Sequence, residues 1–171
     1  MGVKPHERAL AANVTAATES RLVDLVPFAA GDRVFAVQAD QVDGTAEAKT
    51  PAALPNAPPA VMGVVCVRGR MLTILDPLVL AGVEAAPNRS RTIPCVLALR
   101  GDEQLGLAAQ SFLETITIAA VDIEEYDQGT VESPQAVLGI ARHGGQEITV
   151  LKVNNLFNAA FRRKERRRRR F

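Results

Sequence analysis

A segment of 20 residues that occurs twice restricts what this chain can fold into more than any other feature of its sequence. Residues 61–80 read VMGVVCVRGRMLTILDPLVL, and residues 137–156 read VLGIARHGGQEITVLKVNNL. When the two copies are aligned end to end they share six identities, where composition alone would give roughly one. The identical pairs are Val61/Val137, Gly63/Gly139, Gly69/Gly145, Thr73/Thr149, Leu75/Leu151 and Leu80/Leu156. The repeat predicts a chain built from two related halves.

Each copy has the pattern of a β-hairpin. Extended apolar runs flank Arg68-Gly69 in the first copy and Gly144-Gly145 in the second, and glycine permits the tight turn between them. A weaker repeat further upstream places Gly31-Asp32 over Gly101-Asp102, and Gly-Asp is also a favoured hairpin turn. Each half is therefore predicted to begin and to end with a hairpin.

Short extended runs separated by turn residues continue along most of the chain. The turn signals include four prolines within residues 50–59. Many short strands at regular intervals favour small barrels. The predicted strands are residues 23–29, 33–39, 61–67, 71–76, 93–99, 104–110, 112–118, 137–142 and 147–153, and the predicted short helices are residues 77–82 and 154–161.

The charge of the chain is divided between an acidic body and a basic tail. Of 20 basic and 19 acidic residues, the last ten residues, RRKERRRRRF, hold eight and one, which leaves 12 and 18 for the rest of the chain. Such a tail binds the phosphates of nucleic acid or an anionic membrane surface, or it is a solvated end or an extension of the preceding helix. The sequence leaves these alternatives open. With no Trp, one Tyr and six Phe, the chain has few rings on which bases could stack.

The cysteines and the hydropathy pattern favour a cytoplasmic protein. Cys66 and Cys95 lie in apolar runs, where we expect small buried thiols, and their spacing does not match a metal site. The first residues lack the apolar core of a signal peptide, and no segment approaches the roughly 20 apolar residues that span a bilayer.

Residues suited to catalysis or to metal binding are scarce. The two histidines, His6 and His143, are too few for a His-based triad or a metal-binding pair. Residues 101–106 lack the Lys and hydroxyl residue of a phosphate-binding loop, so a hairpin is expected there. A solvated acidic loop is the simpler interpretation of four carboxylates that could in principle hold a hard cation, Asp122, Glu124, Glu125 and Asp127. We expect no enzymatic activity, no metal and no cofactor.

The first hairpin carries a pattern similar to that of a known family. LPNAP at residues 54–58 is followed by VMGVVCVRGRMLTILD at residues 61–76, which resembles the CheW family, where a proline-containing loop precedes a hairpin reading G-v-x-N-L-R-G-x-x-x-P-v-x-D-L. The glycines, Arg68 and Asp76 fall in register, and the similarity runs from about Val23 to Phe157. The chain is therefore identified as a member of the CheW family by resemblance.

The chain departs from the family pattern at several positions. Cys66 stands where the motif has Asn, Thr73 stands where it has Pro, and Asp43-Gly44-Thr45 follows Val42 where members carry Glu before an apolar residue. These departures predict partner surfaces that have diverged on a shared fold.

The resemblance implies an all-β fold of two intertwined SH3-like five-stranded β-barrels with short helices and a C-terminal helix. A flexible segment would occupy residues 1–21, the CheW-like domain residues 22–161 and the basic tail residues 162–171. The two halves of the domain, partly intertwined, would be residues 22–85 and 92–157, approximately.

The resemblance also implies an adaptor that links the cytoplasmic tip of methyl-accepting chemoreceptors to the regulatory domain of a CheA-type histidine kinase. A groove between the barrels would accept the receptor, and the outer loops of the first barrel would lie toward the kinase. The expected receptor-binding residues are Arg68, Val37 and Val67, and the expected kinase-binding residues are Val42, Asp43, Gly44, Gly69 and Met71. Other CheW-like proteins are further expected partners.

Two functions follow as expectations. The first is a non-catalytic coupling protein for chemotaxis or pilus-based motility. The alternative is a divergent double-barrel interaction module that is anchored to nucleic acid or to an anionic membrane through its Arg-rich tail.

Overall fold

The chain folds into two β-sheets with few helices, and the computed structural model describes residues 21–86, 92–126 and 134–161. Two 3-10 turns, Ala39–Gln41 and Ala120–Asp122, connect strands. The strands are β1 Leu22–Ala30, β2 Arg33–Gln38, β3 Val42–Lys49, β4 Val61–Val67, β5 Arg70–Leu75, β6 Ile93–Leu99, β7 Leu105–Ala109, β8 Ser111–Phe112, β9 Ile116–Ala119, β10 Glu124–Glu125, β11 Val137–His143 and β12 Gln146–Leu151; the helices are α1 Pro77–Leu80 and α2 Val153–Phe161.

All nine strands predicted from the sequence are present, and one of them is broken. The run at 112–118 is interrupted and forms β8 and β9. Two strands were not predicted, β3 and the short β10. The sequence of β3, VDGTAEAK, is rich in residues with low β-propensity, yet its backbone pairs with β6 from Val42 to Lys49.

The two halves of the chain exchange a hairpin. One sheet has the order β3-β6-β7-β5-β4, and the other has the order β10-β11-β12-β2-β1-β8, with β9 also paired to β1. The first half therefore supplies its β1–β2 hairpin to the sheet of the second half, and the second half supplies β6–β7 in return. We call β3–β7 barrel 1, and β1, β2 and β8–β12 barrel 2.

Barrel 2 has seven strands because the counterpart of β3 is divided. In barrel 1, β3 pairs with β6, and the chain then reaches β4 through a single bridge between Ala52 and Val64. In barrel 2, β8 and β9 both pair with β1, and β10 then pairs with β11 through Glu124 and Ile140. Val64 and Ile140 are equivalent residues of the repeated hairpin, so the two barrels close at equivalent positions.

Both repeats read from the sequence are present in the strand registers. The parallel pair β5–β7 places Thr73 opposite Leu105, and the parallel pair β12–β2 places Thr149 opposite Phe35. Thr73 and Thr149 are equivalent in the stronger repeat, and Phe35 and Leu105 are equivalent in the weaker one. The predicted duplication is therefore also a repeat of strand pairing.

Three apolar clusters hold the barrels together. A cluster inside barrel 1 includes Leu72 and Val96, and a cluster inside barrel 2 includes Leu25 and Val150. The largest lies between the barrels and draws on both sheets and both helices, with members that include Phe28, Phe35, Val37, Leu75, Leu80, Leu97, Leu107, Leu151 and Leu156. The rings of its two phenylalanines stack with centroids 5.9 Å apart.

Gly63 and Gly139, which are equivalent in the repeat, each lie where a second segment of backbone comes close. A Cβ on Gly63 would lie 2.5 Å from the carbonyl oxygen of Ala52, and a Cβ on Gly139 would collide with the carbonyl oxygen of Glu124. Both glycines also mark a shift of register in their hairpin. The segment that closes each barrel, the Ala52 bridge in one and β10 in the other, can approach only because these positions lack a side chain.

Replacing Gly63 with Ala is expected to lower the free energy of unfolding by about 3 kcal/mol, because backbone strain and a collision with the Ala52 carbonyl add together. Gly101→Ala is the matched control, since Gly101 also has a positive φ of 125° but no atom lies within 4 Å of an added Cβ. Urea unfolding of both variants measures the difference. Equal losses in the two variants would contradict the close approach at Gly63.

Candidate functional site

The tip of the β4–β5 hairpin holds an arginine in a backbone conformation that favours glycine. Arg68 has φ 50° and Gly69 has φ 76°, and the equivalent residues Gly144 and Gly145 have φ 58° and φ 76°. Two consecutive left-handed residues are typical of a type I′ hairpin turn. An L-residue in this conformation costs roughly 1–2 kcal/mol, so the turn geometry does not explain the presence of Arg68.

The guanidinium of Arg68 lies against the start of β3. A Cβ on Gly44 would be 3.0 Å from Nη1 of Arg68, so the absence of a side chain there lets the guanidinium lie close to the strand. Gly44 also follows a shift of register between β3 and β6. Across residues 21–86, 92–126 and 134–161, the Arg68 guanidinium makes no hydrogen bond or ion pair, and its donors are available to a partner.

Neighbouring arginines connect β3 to the hairpin tip and to β6. Arg70 Nη1 donates to Oδ2 of Asp43 at 2.5 Å, with the two side chains 43% and 44% exposed. Arg100 Nε donates to the carbonyl oxygen of Val42 at 3.1 Å. An exposed ion pair of this kind contributes at most about 1 kcal/mol, so it orients β3 more than it stabilises the fold.

These side chains surround one end of barrel 1, where a cavity of about 50 Å³ lies. Its lining combines apolar side chains of the barrel with polar residues of β3 and the turn, namely Val67, Leu72, Ala98, Asp43, Gly44, Thr45, Arg68 and Arg70. We call this set the barrel 1 mouth. It offers guanidinium donors beside a small apolar recess.

The outer face of the same hairpin is a second exposed surface. Cys66 lies opposite Met71 in the strand register, and directly opposite side chains share one face of a sheet. Met71 is 55% exposed. The prediction of a buried Cys66 is wrong, because Val65 and Val67 point inward and strand alternation turns the residue between them outward; Cys95 is half-buried.

The expected binding residues fall into three environments. Asp43, Gly44 and Arg68 meet at the mouth, with Gly69 beside them in the exposed turn, and Met71 lies on the outer face. Asp43 and Gly44 belong to strand β3 and not to a loop as expected.

The other expected residues are partly or wholly buried. Val42 is half-buried at the start of β3. Val67 is 7% exposed beneath the mouth, and Val37 is fully buried in the core between the barrels. Val37 is therefore part of the packed core between the barrels, and a receptor groove between the barrels stays a prediction.

Asp76 has a structural role. Its Oδ1 accepts a hydrogen bond from the backbone nitrogen of Leu78 at 2.9 Å, which caps the start of α1. The equivalent residue in the second copy is Lys152. This difference between the copies therefore concerns a helix cap, whereas the difference between Arg68 and Gly144 concerns an exposed surface.

The arginine of the second hairpin, Arg142, is paired with acidic side chains. Arg142 Nη1 donates to Oε1 of Glu124 at 2.7 Å, and its Nη2 lies 3.8 Å from Oε2 of Glu147. Glu124 and Glu125 form the strand β10, so part of the expected acidic loop is paired structure, while Asp127 lies outside the described residues. No group of three potential metal ligands occurs in the part of the chain that the structure describes.

No helix among the described residues is long and apolar enough to cross a membrane. The N-terminal segment before residue 21 and the basic tail from residue 162 onward lie outside the described ranges.

Comparison with known proteins decides the family. The family model for the CheW-like domain matches residues 24–161. The chain belongs to the CheW-like domain family. The crystal structure of the scaffolding protein TtCheW from Thermoanaerobacter tengcongensis superposes with a TM-score of 0.66 at 20% identity, covering 80% of this chain and 88% of that one. At this identity the match shows a shared CheW fold. A search of curated proteins found no match.

Sequence reasoning found Arg68, Asp43 and Gly44 in this CheW-like chain but missed Arg70, which lies beside them at the mouth. Arg70 was not singled out, because its contact with Asp43 depends on a strand that was not predicted. A weak signal was present, since the polar residues Asp43, Thr45 and Glu47 alternate with less exposed positions along β3.

Arg68→Gly is expected to raise the free energy of unfolding by about 0.5 kcal/mol, because relief of roughly 1–2 kcal/mol of left-handed strain exceeds the entropic cost of glycine. The reciprocal change Gly144→Arg, at an open position with φ 58°, is expected to lower it by a similar amount. Chemical denaturation measures both. A loss of stability on Arg68→Gly would show that the arginine holds the hairpin in place.

Proposed function

We propose that this CheW-like protein is a non-catalytic adaptor that couples chemoreceptors to a CheA-type histidine kinase in chemotaxis or pilus-based motility. The observation that carries the proposal is the placement of Arg68. In a chain of this family, a guanidinium without a partner among the described residues is held at an exposed hairpin tip where the turn itself favours glycine. An unfavourable backbone state at an exposed site is a signature of function.

The barrel 1 mouth is the proposed receptor-binding surface. The planar guanidinium of Arg68 suits a carboxylate or carbonyl group on the partner. The recess of about 50 Å³ beside it has room for a small apolar group. A receptor helix that presents an oxygen acceptor next to a small apolar side chain fits this combination, and helix docking of this kind is a common mode of recognition.

The outer face of the β4–β5 hairpin is the proposed kinase-binding surface, with Met71 as its apolar anchor. Met71 is among the most exposed large apolar side chains of the described residues. Methionine adapts to irregular partner surfaces. Because Met71 and Arg68 lie on different faces of one hairpin, the adaptor can hold both partners at once. Asp43 and Gly44 line the mouth and so belong to the proposed receptor-binding surface, and Gly69 lies in the turn between the two surfaces.

Arg68→Gly is expected to weaken binding to a receptor-tip fragment by about 1–3 kcal/mol, because a charged contact at an interface is lost. Isothermal titration calorimetry measures the change. Arg142→Ala is the control, since Arg142 is an exposed hairpin arginine that is already paired with Glu124. The same loss in both variants would indicate a general charge effect and would contradict a specific role for Arg68.

Met71→Ser is expected to weaken binding to the kinase regulatory domain by about 1–2 kcal/mol, because an apolar interface anchor is removed, and to leave receptor binding unchanged. Val121→Ser is the matched control, since Val121 is also 55% exposed but lies in the 3-10 turn between β9 and β10. Surface plasmon resonance with the isolated regulatory domain measures both. Loss of receptor binding on Met71→Ser would show that the two surfaces are one.

A further inference from the structure

The C-terminal helix α2 exposes two aromatic rings on its outer face. Val153, Leu156 and Ala160 are buried, whereas the exposed stripe has helical spacing and consists of Asn154, Phe157, Asn158 and Phe161. Phe157 is 40% exposed and Phe161 is 37% exposed. Their ring centroids are 4.7 Å apart, so the rings form one continuous apolar patch at the end of the helix.

A dense positive charge follows this patch directly in the sequence. Residue 162 is the first of ten residues, RRKERRRRRF, that carry eight basic groups and one acidic group. The nine residues of α2, VNNLFNAAF, carry no charge of their own. Within the chain, aromatic surface and cationic charge are therefore adjacent, with no acidic side chain between Val153 and the first arginine.

We propose that the Phe157–Phe161 pair and the basic tail together bind an anionic lipid bilayer. Aromatic rings enter the boundary between headgroups and acyl chains, and arginines are attracted to anionic headgroups. Neither signal suffices alone, since stable attachment at a membrane surface takes an apolar contribution in addition to a polybasic one. The binding is peripheral, with α2 lying at the surface.

The aromatic pair favours a bilayer over nucleic acid. Binding of single-stranded nucleic acid uses separate aromatic faces on which successive bases stack. Phe157 and Phe161 pack against each other, with an angle of 33° between their planes, and so present one apolar patch. The remainder of the chain, with 12 basic and 18 acidic residues, offers no excess of positive charge to track a nucleic acid backbone.

The barrel 1 mouth stays accessible when α2 lies on a bilayer. Helix α2 contacts α1, and α1 follows the end of β5 that is remote from the hairpin tip. A six-residue strand spans roughly 20 Å. Lipid binding is therefore independent of the proposed adaptor function, and either can fail without the other.

The test is co-sedimentation of the full chain with vesicles of phosphatidylcholine alone or of phosphatidylcholine with phosphatidylglycerol. We expect binding only to the anionic vesicles and weakening with added salt. The double variant F157S/F161S is expected to reduce partitioning about tenfold, and replacement of the five arginines 166–170 by Gln is expected to abolish it. N154A/N158A, on the same stripe, is the matched control and should bind as the parent does.

Circular dichroism of each variant establishes that it remains folded. If F157S/F161S unfolds, F157L/F161L replaces it, and an intermediate loss of vesicle partitioning is expected. Three results would overturn the proposal. The first is equal binding to neutral vesicles. The second is vesicle binding that does not change in folded phenylalanine variants. The third is absence of binding to the anionic vesicles. Fluorescence anisotropy with DNA and sedimentation velocity of the chain alone would then show whether the tail binds nucleic acid or a second copy of the chain.

Discussion

Two hairpins that are buried on both faces are the constraint on which this CheW-like fold depends. In β1–β2, Phe28 and Phe35 face the core between the barrels, while Leu25 and Ala36 face the interior of barrel 2. In β6–β7 the alternation is the same, with Leu97, Leu99 and Leu107 toward the central core and Val96 toward barrel 1. Since each hairpin belongs by sequence to one half and by pairing to the other, neither barrel can be completed by its own half.

Duplication supplied the scaffold, and divergence at the hairpin tips supplied the candidate site. Both tips have the same left-handed turn, and both barrels close through the same approach of a carbonyl to a glycine. At one tip the turn holds an arginine that has no partner within the described ranges, above a small recess. At the other tip the nearby Arg142 is bound by two glutamates. The two ends of one repeated geometry thus differ in what they offer to a partner.

Much of the fold was predictable from the sequence, because glycine turns and apolar alternation are local signals. The hairpins, both short helices and the duplication were read correctly from positions such as Gly69 and Gly145. Strand β3 was not predicted. It lies at the edge of its sheet, where few of its side chains need to be apolar, and its long-range pairing with β6 decides its conformation. The contact of Arg70 with Asp43 was missed for the same reason, because Asp43 belongs to β3. Val37 lies in the core because the exchange of hairpins buries both faces of β2, and the continuous apolar run at residues 34–37 is the local pattern of such a strand.

The parallel pairing of β2 with β12 has a consequence for how the chain is made. Val34 is hydrogen-bonded into a sheet next to Ile148, so one of the first strands to be synthesised acquires its neighbour only when the last strand has emerged. Contacts this distant in sequence slow folding, because the closing of a long loop precedes any gain from pairing. The β1–β2 hairpin, with Phe28 and Phe35 uncovered, must therefore remain protected from aggregation until β12 has emerged.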